Sequence, residues 1–86
     1  MKLFNKVAII GVGLIGGSIA LGIKKKGLAR QIIGVSRHKK TLLLAKKIHA
    51  IDKGSEELNI IQDADLVILA TPVNTILNLA GLISNL

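Results

Sequence analysis

Apolar positions along this chain follow two spacings. Lys6–Ile10 reads KVAII, a β-branched apolar run closed by glycine, as a buried parallel strand would be. A glycine-rich turn runs from Gly11 to Gly17. From Leu14 to Lys26 the spacing is helical, with Leu14, Ile15, Ser18, Ile19, Gly22 and Ile23 in register. Lys24, Lys25 and Lys26 occupy the last turn, and Gly27 stands where a helix C-terminus wants glycine. Gln31–Val35 (QIIGV) predicts a second strand, and the polar, basic stretch Ser36–Lys40 follows it. Thr41–Ile48 predicts a second helix that offers Leu42, Leu44, Ala45 and Ile48 to the core. Ala50-Ile51 predicts a very short third strand, ahead of a turn at Asp52-Lys53-Gly54-Ser55. Glu57–Gln62 predicts a further helical turn, and Asp65–Ala70 (DLVILA) the clearest buried strand. Thr71-Pro72 breaks that strand, and Asn74 or Thr75 caps a last helix carrying Ile76, Leu77, Leu79, Ala80, Leu82, Ile83 and Leu86.

Strands that alternate with helices specify an α/β fold, a parallel sheet joined by right-handed crossovers. No repeat or linker divides residues 1–86, which read as one domain. The last helix is apolar on nearly every face, which suits a helix covered by more protein. The chain is therefore expected to be the N-terminal portion of something larger.

Composition narrows the chemistry. With Phe4 the single aromatic residue, the core must be built from Ile, Leu, Val and Ala. The absence of cysteine excludes a disulfide framework, a cysteine zinc site and thiol catalysis. A net charge of +7 favours anionic partners: a phosphorylated cofactor, nucleic acid or a membrane surface. Two uncharged stretches approach spanning length, the 17 residues Val7–Ile23 and the 21 residues Leu66–Leu86. Five glycines dilute the first, and Thr, Pro, Asn and Ser the second, so neither is expected to span a membrane. No small-residue cleavage site closes the first stretch, which argues against a secretory signal.

Gly11-Val12-Gly13-Leu14-Ile15-Gly16 follows a strand and opens a helix, the setting that a dinucleotide-binding turn requires. Gly11 would allow the tight turn, Gly13 the approach of a pyrophosphate, and Gly16 close packing of helix on strand. The helix N-terminus would supply N–H groups and partial positive charge. The same glycines would also serve a turn that does nothing but pack, and Gly13 and Gly17 form a GxxxG spacing.

The residue that reads the adenosine ribose is expected about 20 positions beyond these glycines, which is Ser36. An NAD site would place Asp or Glu there. This chain has Ser36-Arg37-His38-Lys39-Lys40, with no carboxylate nearby to repel a 2′-phosphate. Ser36 can donate a hydrogen bond to a 2′-phosphate, Arg37 can offer its fork or stack on adenine, and Lys39 and Lys40 can add field. This favours NADP over NAD, although the same stretch also reads as a solvated basic loop. His38 and His49 have no partners at metal-ligand spacing, and no metal site is expected.

Gly11–Ser18 (GVGLIGGS) resembles the GxGLIGGS signature of the prephenate/arogenate dehydrogenase family of tyrosine biosynthesis. Gly34–Arg37 (GVSR) resembles the second-strand tip of its NADP-using arogenate dehydrogenases, and Asp65–Val73 (DLVILATPV) the family's next landmark. The resemblance covers almost the whole chain but only the N-terminal part of such enzymes. It implies a Rossmann-type sheet with helices on both faces, and oxidative decarboxylation of prephenate or arogenate with hydride transfer to the nicotinamide. It places Gly11, Gly13, Leu14, Ile15, Gly16 and Ser18 at the cofactor's pyrophosphate and Ser36 and Arg37 at its 2′-phosphate. Thr71, Pro72 and Val73 fall beside the nicotinamide ribose. The family's catalytic histidine, substrate-binding residues and helical dimerisation domain lie further along, so no catalytic role falls on a residue of this chain.

Two other readings compete. One is a non-catalytic NADP-binding module or remnant, which would bind cofactor and never turn over. The other is a small basic nucleic-acid binder, against which stand the lack of stacking aromatics and the scattering of the lysines. The expected partners are thus a nicotinamide dinucleotide and, with the remaining domain present, a small-molecule substrate, with no nucleic acid and no membrane. The cytoplasm is the expected compartment, with a plastid stroma as the alternative.

Overall fold

The computed structural model describes residues 3–70. The elements in order are β1 (Phe4–Ile10), α1 (Leu14–Lys25), β2 (Ala29–Val35), α2 (Lys39–Lys47), β3 (Lys53–Ser55), a 3-10 turn (Leu58–Ile61) and β4 (Leu66–Leu69). All strand pairs are parallel, in the order β3-β2-β1-β4. β1 lies inside the sheet because its side chains are apolar on both faces: Val7, Ala8 and Ile9 are wholly buried. Ile10 sits opposite Val35 on one side and Leu69 on the other, so three strands end level at one edge.

Alternation along the strands makes two cores. Val7, Ile9 and Ile32 face Ala20 of α1 and Leu42 and Ala45 of α2. Ala8, Ile10 and Val35 face Ile61 of the 3-10 turn, with Val67 and Leu69 beside them. Helical elements therefore cover both faces, two α-helices on one and the 3-10 turn on the other. Among the described residues no helix is long and apolar enough to cross a membrane. The Val7–Ile23 stretch is divided among β1, the glycine turn and α1. The expected last helix and the Thr71-Pro72 strand break lie outside the described residues.

One element is displaced from its expected place. Ala50 and Ile51 are not a strand. Their N–H groups donate to the Ala45 carbonyl (2.9 and 3.4 Å) and their side chains are buried, so they finish α2. The third strand is Lys53–Ser55, where a turn was expected. It is polar because it borders the sheet and both Lys53 and Gly54 are exposed. Other boundaries differ by a turn or less: β1 and β2 begin two residues early, at Phe4 and Ala29, which pair with each other.

Both α-helices end in the same way. In α1 the Gly27 N–H donates to the Lys24 carbonyl (3.1 Å) and the Leu28 N–H to that of Ile23 (3.1 Å). In α2 the His49 N–H donates to the Lys46 carbonyl (3.1 Å) and the Ala50 N–H to that of Ala45 (2.9 Å). These are paired Schellman closures, which need a left-handed residue. Gly27 meets that need at φ 62°, whereas α2 forces His49 to φ 63°.

Two aspartates tie the opposite, N-terminal edge of the sheet. Asp52 donates its N–H to the Ile32 carbonyl (2.8 Å), and its Oδ2 accepts the Ile32 N–H (2.8 Å). Its Oδ1 pairs with the Lys24 ammonium of α1. Asp65 repeats the device at β4: its N–H donates to the Lys6 carbonyl (2.9 Å), and its Oδ2 accepts the N–H groups of Asn5 (2.6 Å) and Lys6 (3.2 Å). Each carboxylate stands in for the carbonyl that a longer strand would have provided.

Partial burial of Asp52 raises its pKa, but the Lys24 hydrogen bond, the Ile32 N–H and the Lys24 charge outweigh that and hold it below the ordinary 3.8. A carboxyl depressed on folding stabilises the fold above its unfolded value, and that contribution is lost as pH falls through the folded value. Asp52→Ala is expected to cost about 1–2 kcal/mol at pH 7, the low end because a third of the side chain meets solvent. The deficit should shrink in melts taken below pH 4. His49→Gly is expected to gain about 1 kcal/mol by removing the left-handed strain, read as a higher denaturant midpoint with an unchanged slope.

Candidate functional site

β1 delivers the chain to Gly11, whose N–H donates to the Val35 carbonyl (2.8 Å) at φ 90°. Val12 then turns inward and is buried, and Gly13 is the N-cap of α1. The first helical bond runs from the Gly17 N–H to the Gly13 carbonyl (2.8 Å). The N–H groups of Leu14, Ile15 and Gly16 therefore have no acceptor within the helix. No side chain caps this end and its first turn holds no acid. The positive end of α1 is uncompensated, which suits an anion.

The structure separates the glycines by duty. A Cβ on Gly16 would lie 2.2 Å from the Gly11 carbonyl oxygen and 3.3 Å from Ile9 Cγ2, so helix and strand meet there and exclude any side chain. A Cβ on Gly13 would meet nothing within 4 Å. The left-handed backbone accounts for Gly11 and packing for Gly16, while neither accounts for Gly13, at the mouth of the uncompensated helix. Leu14 and Ile15 beside it are 90% and 69% exposed. Ser18 lies one turn further on and donates its hydroxyl to the Leu14 carbonyl (2.8 Å), so its proton is already used within the helix.

Because Ile10 and Val35 are level, Gly11 and Ser36 emerge side by side at the C-terminal edge of the sheet. Ser36 donates its N–H to the Ser55 carbonyl (3.1 Å). Its Oγ accepts the His38 N–H (3.1 Å), which leaves the hydroxyl proton available to donate. Arg37, Lys39 and Lys40 are exposed, and none enters an ion pair among the described residues. The Ala70 N–H donates to the Ile10 carbonyl (2.8 Å), bringing the end of β4 to the same edge. Thr71, Pro72 and Val73, expected beside it, lie outside the described residues. His38 and His49 stand at opposite ends of α2, and no group of metal-binding side chains occurs among the described residues.

The expectation of a tip without nearby carboxylates needs correction. β3 pairs with β2 and ends at Ser55, so Glu56 and Glu57 follow directly beside Ser36. The Ser55 Oγ accepts the Glu57 N–H (3.0 Å). Glu56 lines an open groove of about 280 Å³ with Lys39, Leu42, Leu43, Lys46, Gly54 and Ser55. These acids are missed by counting along the chain because they lie some 20 residues beyond the tip, and only correct placement of β3 would have revealed them.

A parallel sheet ordered β3-β2-β1-β4, with a glycine turn between its central strand and a helix, defines a Rossmann-type nucleotide-binding fold. The comparisons agree: residues 19–85 match the family described as prephenate dehydrogenase, nucleotide-binding domain, and the chain belongs to that family. The match opens just after the glycine turn. Prephenate dehydrogenase of Lactococcus lactis is 45% identical over 75 residues, 87% of this chain and 21% of that protein. A crystal structure of prephenate dehydrogenase from A. aeolicus in complex with hydroxyphenyl propionate and NAD+ superposes with a TM-score of 0.77 at 31% identity, covering 84% of this chain and 26% of that one. Arogenate dehydrogenase of Synechocystis gives 0.79 at 34%, covering 85% and 26%. The chain spans about a fifth of the length of the curated relatives it matches.

The division among glycines makes a paired prediction. Gly16→Ala should destabilise the fold by about 1–3 kcal/mol through overpacking. Gly13→Ala should melt within about 1 kcal/mol of the parent yet lose tenfold or more in dinucleotide affinity, measured by calorimetric titration.

Proposed function

We propose that this chain is the cofactor-binding part of an NADP-dependent prephenate or arogenate dehydrogenase of tyrosine biosynthesis. The observation that carries this reading is the open space before Gly13, at a helix N-terminus with neither cap nor acid. That is a cradle a side chain would fill, and a pyrophosphate fits it. Gly11 and Gly16 shape the turn, and the N–H groups of Leu14, Ile15 and Gly16 donate to the phosphates. Ser18, one turn into α1, reaches the pyrophosphate only by giving up the bond from its hydroxyl to the Leu14 carbonyl. Ser36 and Arg37 hold the 2′-phosphate, one with its available proton and the other with its guanidinium fork. Thr71, Pro72 and Val73, outside the described residues, are assigned to the nicotinamide ribose on the family resemblance alone.

The dinucleotide, when bound, accepts a hydride. This chain's part is to bind and orient it at the C-terminal edge of the sheet, where open α/β sheets hold ligands. Substrate-binding and proton-accepting groups are assigned to the four fifths of the relatives' length that this chain does not match. The assay for the whole activity is therefore complementation with that remainder. The cytoplasm is the compartment this reading implies, and no nucleic acid or membrane is invoked.

Titration of the folded chain with NADPH and NADH tests the reading. NADPH should bind more tightly. Arg37→Asp should weaken NADPH about tenfold or more, the value of one lost charge-assisted contact of about 1.5–3 kcal/mol, and leave NADH within about threefold. Tighter NADH binding would reverse the cofactor preference. Binding of neither by a chain with native circular dichroism would overturn the assignment.

A further inference from the structure

The groove between α2 and β3 adjoins the β2 tip, but no role has been given to the acid that lines it. Lys39 and Lys46 line it from α2, and Gly54, Ser55 and Glu56 from the end of β3. Ser55 is bonded through its carbonyl to the Ser36 N–H, so the chain that leads into Glu56 is anchored to the β2 tip (3.1 Å). The Ser55 hydroxyl fixes the turn that follows by accepting the Glu57 N–H (3.0 Å). Glu56 is exposed, and it forms no ion pair with Lys39, Lys46 or any other cation among the described residues. An acid held beside a basic tip without being neutralised lowers the positive potential that the tip presents.

We propose that Glu56 is a specificity-determining residue, whose carboxylate at the β3 tip holds down the preference for the 2′-phosphorylated cofactor set by Ser36, Arg37 and Lys39. The inference rests on the dinucleotide reading above and adds the residue that tunes it. Both cofactors carry the pyrophosphate, but the 2′-phosphate adds up to two charges that NADH lacks and sets them at the β2 tip, so the acid's repulsion falls more heavily on NADPH. Acting through solvent across the groove, it reduces NADPH affinity about three- to fivefold at low ionic strength, and salt screens the effect.

The experiment titrates the chain and its E56Q and E56K forms with NADPH and NADH, at about 20 mM and 500 mM salt. At low salt E56Q should bind NADPH about three- to fivefold more tightly than the parent and E56K more tightly still, with a clearly smaller change for NADH in both. At high salt the three proteins should converge, because the Debye length falls below about 5 Å. Matching melting curves would show that the substitutions leave the fold intact. Equal shifts for both cofactors, or none in either variant while the parent discriminates between them, would overturn the role of Glu56 and leave the dinucleotide reading standing. A parent that binds neither cofactor would overturn both.

Discussion

The contact between Gly16 and the Gly11 carbonyl is the constraint from which the rest of this molecule follows. It brings α1 down onto the exit of β1 at backbone distance, so the helix starts immediately after the strand stops. That places the helix N-terminus at the C-terminal edge of the sheet. The same edge receives the end of β2, because Ile10 and Val35 are level. A bulkier residue at position 16 would lift the helix and separate its N–H groups from the β2 tip. Close packing here is thus a condition for assembling a site as well as a contribution to stability.

The two edges of the sheet are held by different means. At the C-terminal edge the bonds of Gly11, Ser36 and Ala70 to neighbouring strands are all made by main-chain atoms. At the N-terminal edge Asp52 and Asp65 supply the missing acceptors with side-chain oxygens. Lys24 joins the first of these, so the end of α1, the middle of β2 and the approach to β3 share one ionic knot. The paired helix closures lie beside it, with His49 in the conformation that Gly27 adopts at lower cost.

Much of this was legible in the sequence. KVAII, QIIGV and DLVILA marked three strands because apolar runs closed by polar or glycine residues have few other uses. The glycine turn showed both its place and the division of labour that the contacts at Gly16 support. β3 was hidden because a short border strand needs no hydrophobic run, and the buried Ala50-Ile51 beside it was the stronger apolar signal. That one displacement also concealed Glu56 and Glu57, since an acid brought in by strand pairing leaves no trace in a count from the glycines. The roles of Asp52 and Asp65 were equally invisible, because a lone aspartate ahead of a strand looks like any turn residue.

The main-chain closure of the C-terminal edge has a consequence for how such a protein can change. Arg37, Lys39 and Lys40 bear no packing duty that the described contacts show, so the loop after β2 and the first turn of α2 are open to substitution while the sheet beneath them stays whole. Ligand preference can then drift across a population of sequences without passing through unfolded intermediates. The opposite edge has no such latitude, because its closure depends on two named side chains. Selection would therefore read the two edges of one sheet at different rates, with slow change among the aspartates and fast change in the loop that meets the ligand.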